Sequence, residues 1–466
     1  GVSGPFLVVA PLSTLGHWER EVGAWTGMGV ATVHGPRAAR DLVLQHAIRH
    51  ADARGRPTGR LRVHVVLTTY EHLVTEQSAL SALDWECVVV DEAHRLKNPA
   101  TRLAAAVGAL RASHTVLLTG TPVQNNVPEL LALMKWVDGD AFGAARGAEL
   151  AARFGEVTRP EQVEELQRLI RPFMLRRTKA ELEDPLPPKR ETLLKVELMP
   201  AQKRVYRAIL DRAVEHIKNP RSSLRNVFMQ LRKACDHSML LEAGAAEEAA
   251  VEDALEAADE AVRAAEGGGG GGGGAAEGAR AARVEAGVKE LRDGSGKMVL
   301  LDKLLPKLKR LGHKVLLFSQ FAMLLDLLED YLTLRRPMLG GYRRVDGTVG
   351  GAARQSAIDS FQSDDDCFVF LLTTRAGGQG INLTAADVVI IYDSDWNPQG
   401  DLQGQARAHR IGQTREVTVY RLVTNGTYEQ RLYERACQKL SLDHALLSNG
   451  GGAGAGGAGG AGGGGG

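Results

Sequence analysis

Two blocks of short apolar strands alternating with amphipathic stretches predict an α/β protein of two lobes, each a parallel sheet covered by helices, with helical insertions and a disordered insert between the lobes. Three observations carry this. Apolar, β-branched runs are closed by polar or turn residues at their carboxyl ends, the mark of strands buried on both faces. The alternation stops in the middle of the chain and resumes near Lys297. Between the blocks the composition shifts to alanine, acid and an unbroken glycine run, Gly267 to Gly274.

The first block, residues 1–160, has strands predicted at Phe6-Ala10, Val63-Thr68, Cys87-Val90 and Thr115-Leu118. Residues 161–240 read as a helical, basic extension of that lobe, with Leu166, Leu169, Ile170, Phe173 and Met174 at helix spacing and Arg171, Arg176, Arg177 and Lys179 among them. Residues 241–295 are expected to be a mostly disordered insert, because so little apolar surface cannot offset the entropy of ordering it. A second βα block, 296–447, has strands predicted at Val315-Ser319, Phe368-Thr373 and Val388-Tyr392. Residues 448–466 end in a Gly/Ala tail.

At 466 residues and 44% hydrophobic content, the chain can bury two ordinary cores. Its 57 Lys+Arg against 56 Asp+Glu exclude a protein that coats nucleic acid by bulk charge, so any DNA contact is local. Four scattered cysteines without a C-x-x-C pair argue against a zinc module and for free thiols in a reducing compartment. No apolar stretch is long enough to span a bilayer, and no signal-peptide pattern opens the sequence.

The chemistry concentrates at strand ends. In Cys87-Val88-Val89-Val90-Asp91-Glu92-Ala93-His94 a buried strand delivers two acids to the crevice where α/β sheets bind ligands. Asp91 is suited to hold Mg²⁺ beside phosphates through water, and Glu92 to orient and deprotonate an attacking water. The run Thr119-Gly120-Thr121-Pro122 offers hydroxyls and a glycine to sense a phosphate and to couple to Asp91 or His94. The expected complement, a G-x-x-x-x-G-K-[ST] loop, is not in the sequence: Gly296-Lys297 is followed by Met298 and lacks the first glycine.

In the second block Thr374-Arg375-Ala376-Gly377-Gly378-Gln379-Gly380 supplies glycines and a cation after a strand. Gln403, Arg407 and Arg410, at i, i+4 and i+7, are expected on one helix face opposite a polyanion. Trp396, in a polar loop, either stacks on a base or sugar or packs across its lobe.

Five segments in order, Ala10-Pro11-Leu12-Ser13-Thr14, Asp91 to Asn98, Thr119 to Asn125, Thr374 to Gly378 and Gln405 to Gln413, resemble the Swi/Snf-type chromatin-remodelling ATPases of helicase superfamily two. Within them the chain is most similar to the chromodomain-helicase-DNA-binding group, over Gly4–Leu240 and Ser295–Leu447. The resemblance implies two RecA-like lobes that hydrolyse ATP with Mg²⁺ between them and translocate along double-stranded DNA, in the nucleus, on nucleosomes and their histones, with remodeller subunits as further partners. It implies Asp91 and Glu92 as catalytic acids, Arg407 and Arg410 as arginine fingers, His94, Thr119, Gly120, Thr121, Gly380 and Gln403 at the nucleotide or its coupling, and Thr14, Lys97, Arg375 and Trp396 on the DNA side. Asp236 and Ser238 stand where the family has Asn and Pro in Cys-Asn-His-Pro, and Gln379 where it has Leu. Without the phosphate loop, the isolated chain is expected to be inactive. A non-hydrolysing DNA or nucleosome scaffold and a DEAH-type RNA helicase are the competing readings.

Overall fold

The computed structural model describes residues 4–51, 57–120, 127–155, 160–177, 181, 185–217, 224–241, 245–266, 274–374 and 381–447. The first lobe holds β1 (Phe6–Val9), β2 (Val30–Val33), β3 (Arg49–Ala51), β4 (Pro57–Leu61), β5 (Val65–Thr68), β6 (Asp84–Val90) and β7 (Arg111–Leu117). Five of them form one sheet in the order β2-β5-β1-β6-β7, every pair parallel, while β3 and β4 form an antiparallel hairpin. Side chains alternate across β1: Leu7 and Val9 enter one core and Val8 the other, so helices bury both faces.

The second lobe holds β8 (Lys189–Val196), β9 (Val315–Ser319), β10 (Gly341–Val345), β11 (Cys367–Thr373), β12 (Val388–Ile391) and β13 (Val417–Thr424). Their order is β10-β11-β9-β12-β13-β8, again parallel throughout. The strands expected from periodicity are present. Those missed include edge or polar strands such as β10, whose Tyr-Arg-Arg core carries no apolar run, and the interior β13, whose apolar residues are interrupted by Thr418 and Arg421.

Two expectations are corrected. Residues 161–240 are not simply a helical extension of the first lobe: β8 pairs with β13 from Lys189↔Val417 to Val196↔Thr424, so the chain enters the second sheet before the insert. Its Lys-Arg-Glu-Thr start hides the strand, and such charge is how edge strands are protected. The helices that follow also belong there: the Gly296 N–H donates to Gln202 Oε1 at 3.0 Å and Arg232 Nη2 donates to the Ser394 carbonyl at 2.8 Å.

The 241–295 segment is not mostly disordered. Helices Ala245–Glu266 and Gly274–Asp293 pack on each other and on helix Ala322–Leu334. Val251, Ala254, Val288 and Leu291 are buried in the same core as Leu324 and Leu328. Alanine supplies the highest helix propensity, and the spacing 251, 254, 255, 258 makes one apolar face from few large side chains. Arg283 clamps Asp253 at 2.7 Å across the pair. Most of the glycine run lies outside the described residues. Leu291→Ala should therefore lower the unfolding free energy by about 2–4 kcal/mol in a urea titration; an unchanged midpoint would show that the helices contribute nothing to the core.

Gly296-Lys297 has a structural task. Lys297 is fully buried and its Nζ donates to Asp236 Oδ1 at 2.9 Å, Glu429 Oε1 at 2.6 Å and the Tyr392 carbonyl at 2.7 Å. Burial opposes the charge, but Asp236 and Glu429 outweigh it and hold the ammonium above its ordinary range. One lysine thus joins the segment before the insert, the end of β12 and the Tyr428–Leu447 helix. Removing the cation leaves two buried carboxylates uncompensated, so Lys297→Met should cost about 3–5 kcal/mol in the same assay. A variant as stable as the parent would mean that the acids protonate at little cost.

Candidate active site

Parallel register sets the geometry of the first lobe's site. The Asp91 N–H donates to the Val9 carbonyl at 2.9 Å, and the Ala93 N–H to the Leu118 carbonyl at 2.8 Å, so the ends of β1, β6 and β7 lie side by side. Asp91, half-buried, accepts from Trp18 Nε1 at 3.2 Å and lies 3.5 Å from Thr14 Oγ1, both on the Leu12–Trp25 helix one turn apart. Burial pushes its carboxyl above the usual range against those hydrogen bonds. A cation beside it would reverse that push.

Glu92 follows in the left-handed region, at φ 50°, and is the one non-glycine residue with positive φ among the described residues. Such strain is tolerated where a side chain must be aimed. Glu92 Oε2 and His94 Nδ1 lie 3.2 Å apart without hydrogen-bond alignment, and both are buried and otherwise unsatisfied among the described residues. Two orphaned polar atoms beside a desolvated carboxylate suit a phosphate and its magnesium. No group of three or more His, Cys, Asp or Glu side chains is placed to hold a metal among the described residues. Mg²⁺ here would thus take phosphate oxygens and water besides Asp91, as it does when one or two carboxylates serve it.

The second lobe presents guanidinium groups. Arg407 is held down to about 10 by burial first, then by the charges of Arg410 and Arg354, and is raised by Glu92. Glu92 therefore stands within electrostatic reach of Arg407, which brings the acid edge of one sheet to the cationic edge of the other. The expected i, i+4, i+7 face is corrected: the helix runs Pro398–Ala408 and His409, at ψ 81°, leaves it. Arg410 sits in the turn that follows. Gln413 fixes that turn, donating to the carbonyls of Thr384, Ala386 and Ala408, and Gly412 takes φ 98°. Gln403 remains on the helix, half-buried.

Thr119 and Gly120 follow β7 at the same mouth, whereas Thr121, Arg375 and Gly380 lie outside the described residues. Thr14, expected on the DNA side, turns its hydroxyl to Asp91 and the Pro11 carbonyl. Lys97 pairs with Glu129 at 3.6 Å. Trp396 is 42% exposed, tilted against Tyr428 at 5.7 Å with Arg232 near its ring, so it packs within its lobe and still offers a face. Sequence reasoning missed Trp18 and Arg354. Trp18 was findable as the i+4 partner of Thr14, while Arg354, on helix Gly351–Ser363, has no local signal at all.

Residues 1–240 match the SNF2-related domain family and residues 296–412 the helicase conserved C-terminal domain. The chain belongs to the SNF2-related family. It is 44% identical over 456 residues to chromodomain-helicase-DNA-binding protein 6 of Rattus norvegicus, covering 96% of this chain and 16% of that protein. It is equally similar to protein 8 of Xenopus tropicalis, of which it covers 20%, and 43% identical to protein 7 of Homo sapiens, of which it covers 14%. The chain thus spans a fifth or less of the length of these relatives. Of the described residues, no helix is long and apolar enough to cross a membrane.

Proposed function

We propose that this SNF2-related chain is the core of a DNA-dependent chromatin-remodelling ATPase, a nuclear translocase on double-stranded DNA acting on nucleosomes with remodeller subunits. The supporting observation is that Glu92 lies within electrostatic reach of Arg407, which also feels Arg410 and Arg354. A polyanion entering there finds the Arg407 and Arg354 guanidinium groups already partly desolvated, where they act on developing charge more strongly than in water. Mg²⁺ bound with ATP would neutralise phosphate charge beside Asp91. Trp18 and Thr14 orient the Asp91 carboxylate, and Glu92, held by its backbone, is aimed to take a proton from an attacking water. Thr119, Gly120, Thr121 and Gly380 line or couple to the nucleotide, with Gln403 and His94 at its margin. Thr14, Lys97, Arg375 and Trp396 remain the DNA-side candidates.

The boundaries proposed are 1–160 for the first catalytic lobe and 296–447 for the body of the second, which β8 and the helices between it and residue 295 complete, with 448–466 as a tail. The outer edge of β7 is unpaired among the described residues and carries exposed Val116, with exposed Leu118 just beyond it. A parallel strand added there would end beside Leu118 and Thr119, one strand removed from Asp91, a place from which a phosphate loop can reach across β7 toward it. The chain extended upstream with a G-x-G-K-T segment is therefore expected to hydrolyse ATP in response to DNA. Glu92→Gln and Arg407→Ala should each lower kcat by about 10²-fold or more. Unchanged turnover in both, in a steady-state phosphate-release assay, would remove the motor reading and leave a scaffold.

A further inference from the structure

A groove of about 690 Å³ opens between helices Leu224–Asp236 and Tyr428–Leu447, lined by Phe228, Met229, Trp396, Tyr428, Leu432 and the two arginines Arg431 and Arg435. Its floor is aromatic: Phe228 stacks on Tyr428 at 4.8 Å and Trp396 tilts against Tyr428 at 5.7 Å. Met229 and Trp396 stay 44% and 42% exposed, a large apolar surface left to water. Arg431 and Arg435 stand one helical turn apart at the rim, exposed, and neither has an ion-pair partner among the described residues. Of the acids of that helix nearby, Glu429 is buried on Lys297, while Glu434 stands outside the groove lining and accepts from Gln430.

The geometry points to this groove as the docking site of a separate polypeptide, an acidic amphipathic helix. Its apolar side chains fill the aromatic floor and its carboxylates pair with Arg431 and Arg435. Charge complementarity selects the occupant. Two rim guanidinium groups, with no acid in the lining among the described residues, repel a basic segment and favour carboxylates, which they can take in bidentate pairs. Apart from Trp396, itself a DNA-side candidate at the groove's edge, the floor of Phe228, Met229, Tyr428 and Leu432 favours a helix over a duplex, since a phosphate backbone has nothing to bury there, whereas Leu or Trp anchors at i, i+3 and i+4 do. The chain's own acidic helix, Ala245–Glu266, does not serve, because its apolar face is already buried against Gly274–Asp293 and Ala322–Leu334.

The test is a fluorescence-polarisation titration of the full chain without nucleotide, so that its outcome is independent of hydrolysis. The probes are a labelled helical peptide of roughly 20 residues with Glu on one face and Leu and Trp on the other, its Lys-for-Glu counterpart, and a blunt DNA duplex. The acidic peptide is expected to bind, and the double variant Arg431→Glu/Arg435→Glu and, separately, Met229→Asp should each weaken it about tenfold or more. Both changes lie on the surface, and a thermal melt overlaying the parent's verifies the fold. Equal binding of the Lys counterpart, or acidic-peptide binding indifferent to both variants, overturns the proposal. Loss of duplex binding in the double variant, with no acidic-peptide binding by the parent, also overturns it and assigns the groove to DNA.

Discussion

Concentrating like charge where water is scarce is the constraint around which this molecule is arranged. Arg410 and Arg354 bear on Arg407 at the edge of the second sheet, and burial first, then their charges, bring it down to about 10. The compensation identified comes from the other lobe, through Glu92. That acid is itself held in a left-handed conformation at the end of β6. Two parallel sheets, each opening its carboxyl edge, give the only places where such groups can be presented without being smothered by their own helices.

Holding a cationic edge in position requires a rigid second lobe, and its rigidity comes from a second set of buried charges. Lys297 gathers Asp236, Glu429 and the Tyr392 carbonyl. Next to it, Asp393 accepts from the Gln320 N–H at 3.0 Å and from Ser319, and Arg421 joins Asp401, Glu191 and the Ser394 hydroxyl. Asp401 lies in the helix that carries Arg407 and Gln403. Buried pairs of this kind stabilise little against an apolar core but fix register, because each misplaced partner leaves a charge stranded. Asp236, in place of the family's Asn, adds a carboxylate to this set. Its Oδ2 has no partner among the described residues.

The apolar sheet cores and both acids were legible in the sequence because period-two burial and strand-end chemistry are local signals. Cys87 to Glu92 is read without any knowledge of its neighbours. None of the four cysteines is in a disulfide, as their spacing implied. What failed was non-local or compositional. β8 looks polar because its partner, β13, lies over 200 residues away. The alanine-rich pair looked unable to fold because small side chains hide an apolar face that matters only once helix Ala322–Leu334 is there to receive it. Arg410 left its helix because Gln413, held by the Thr384 and Ala386 carbonyls ahead of β12, also takes the Ala408 carbonyl that a longer helix would have used itself.

The central claim is that the acid edge of one lobe and the guanidinium edge of the other share one site, and a double-mutant cycle measures it directly. Unfolding free energies are compared for the parent, Glu92→Gln, Arg407→Gln and the double variant. Attraction across the cleft predicts a favourable coupling above about 0.5 kcal/mol, since groups in contact depart from additivity by that much or more. Effects that add to within about 0.3 kcal/mol would place the two charges out of each other's reach and contradict the account.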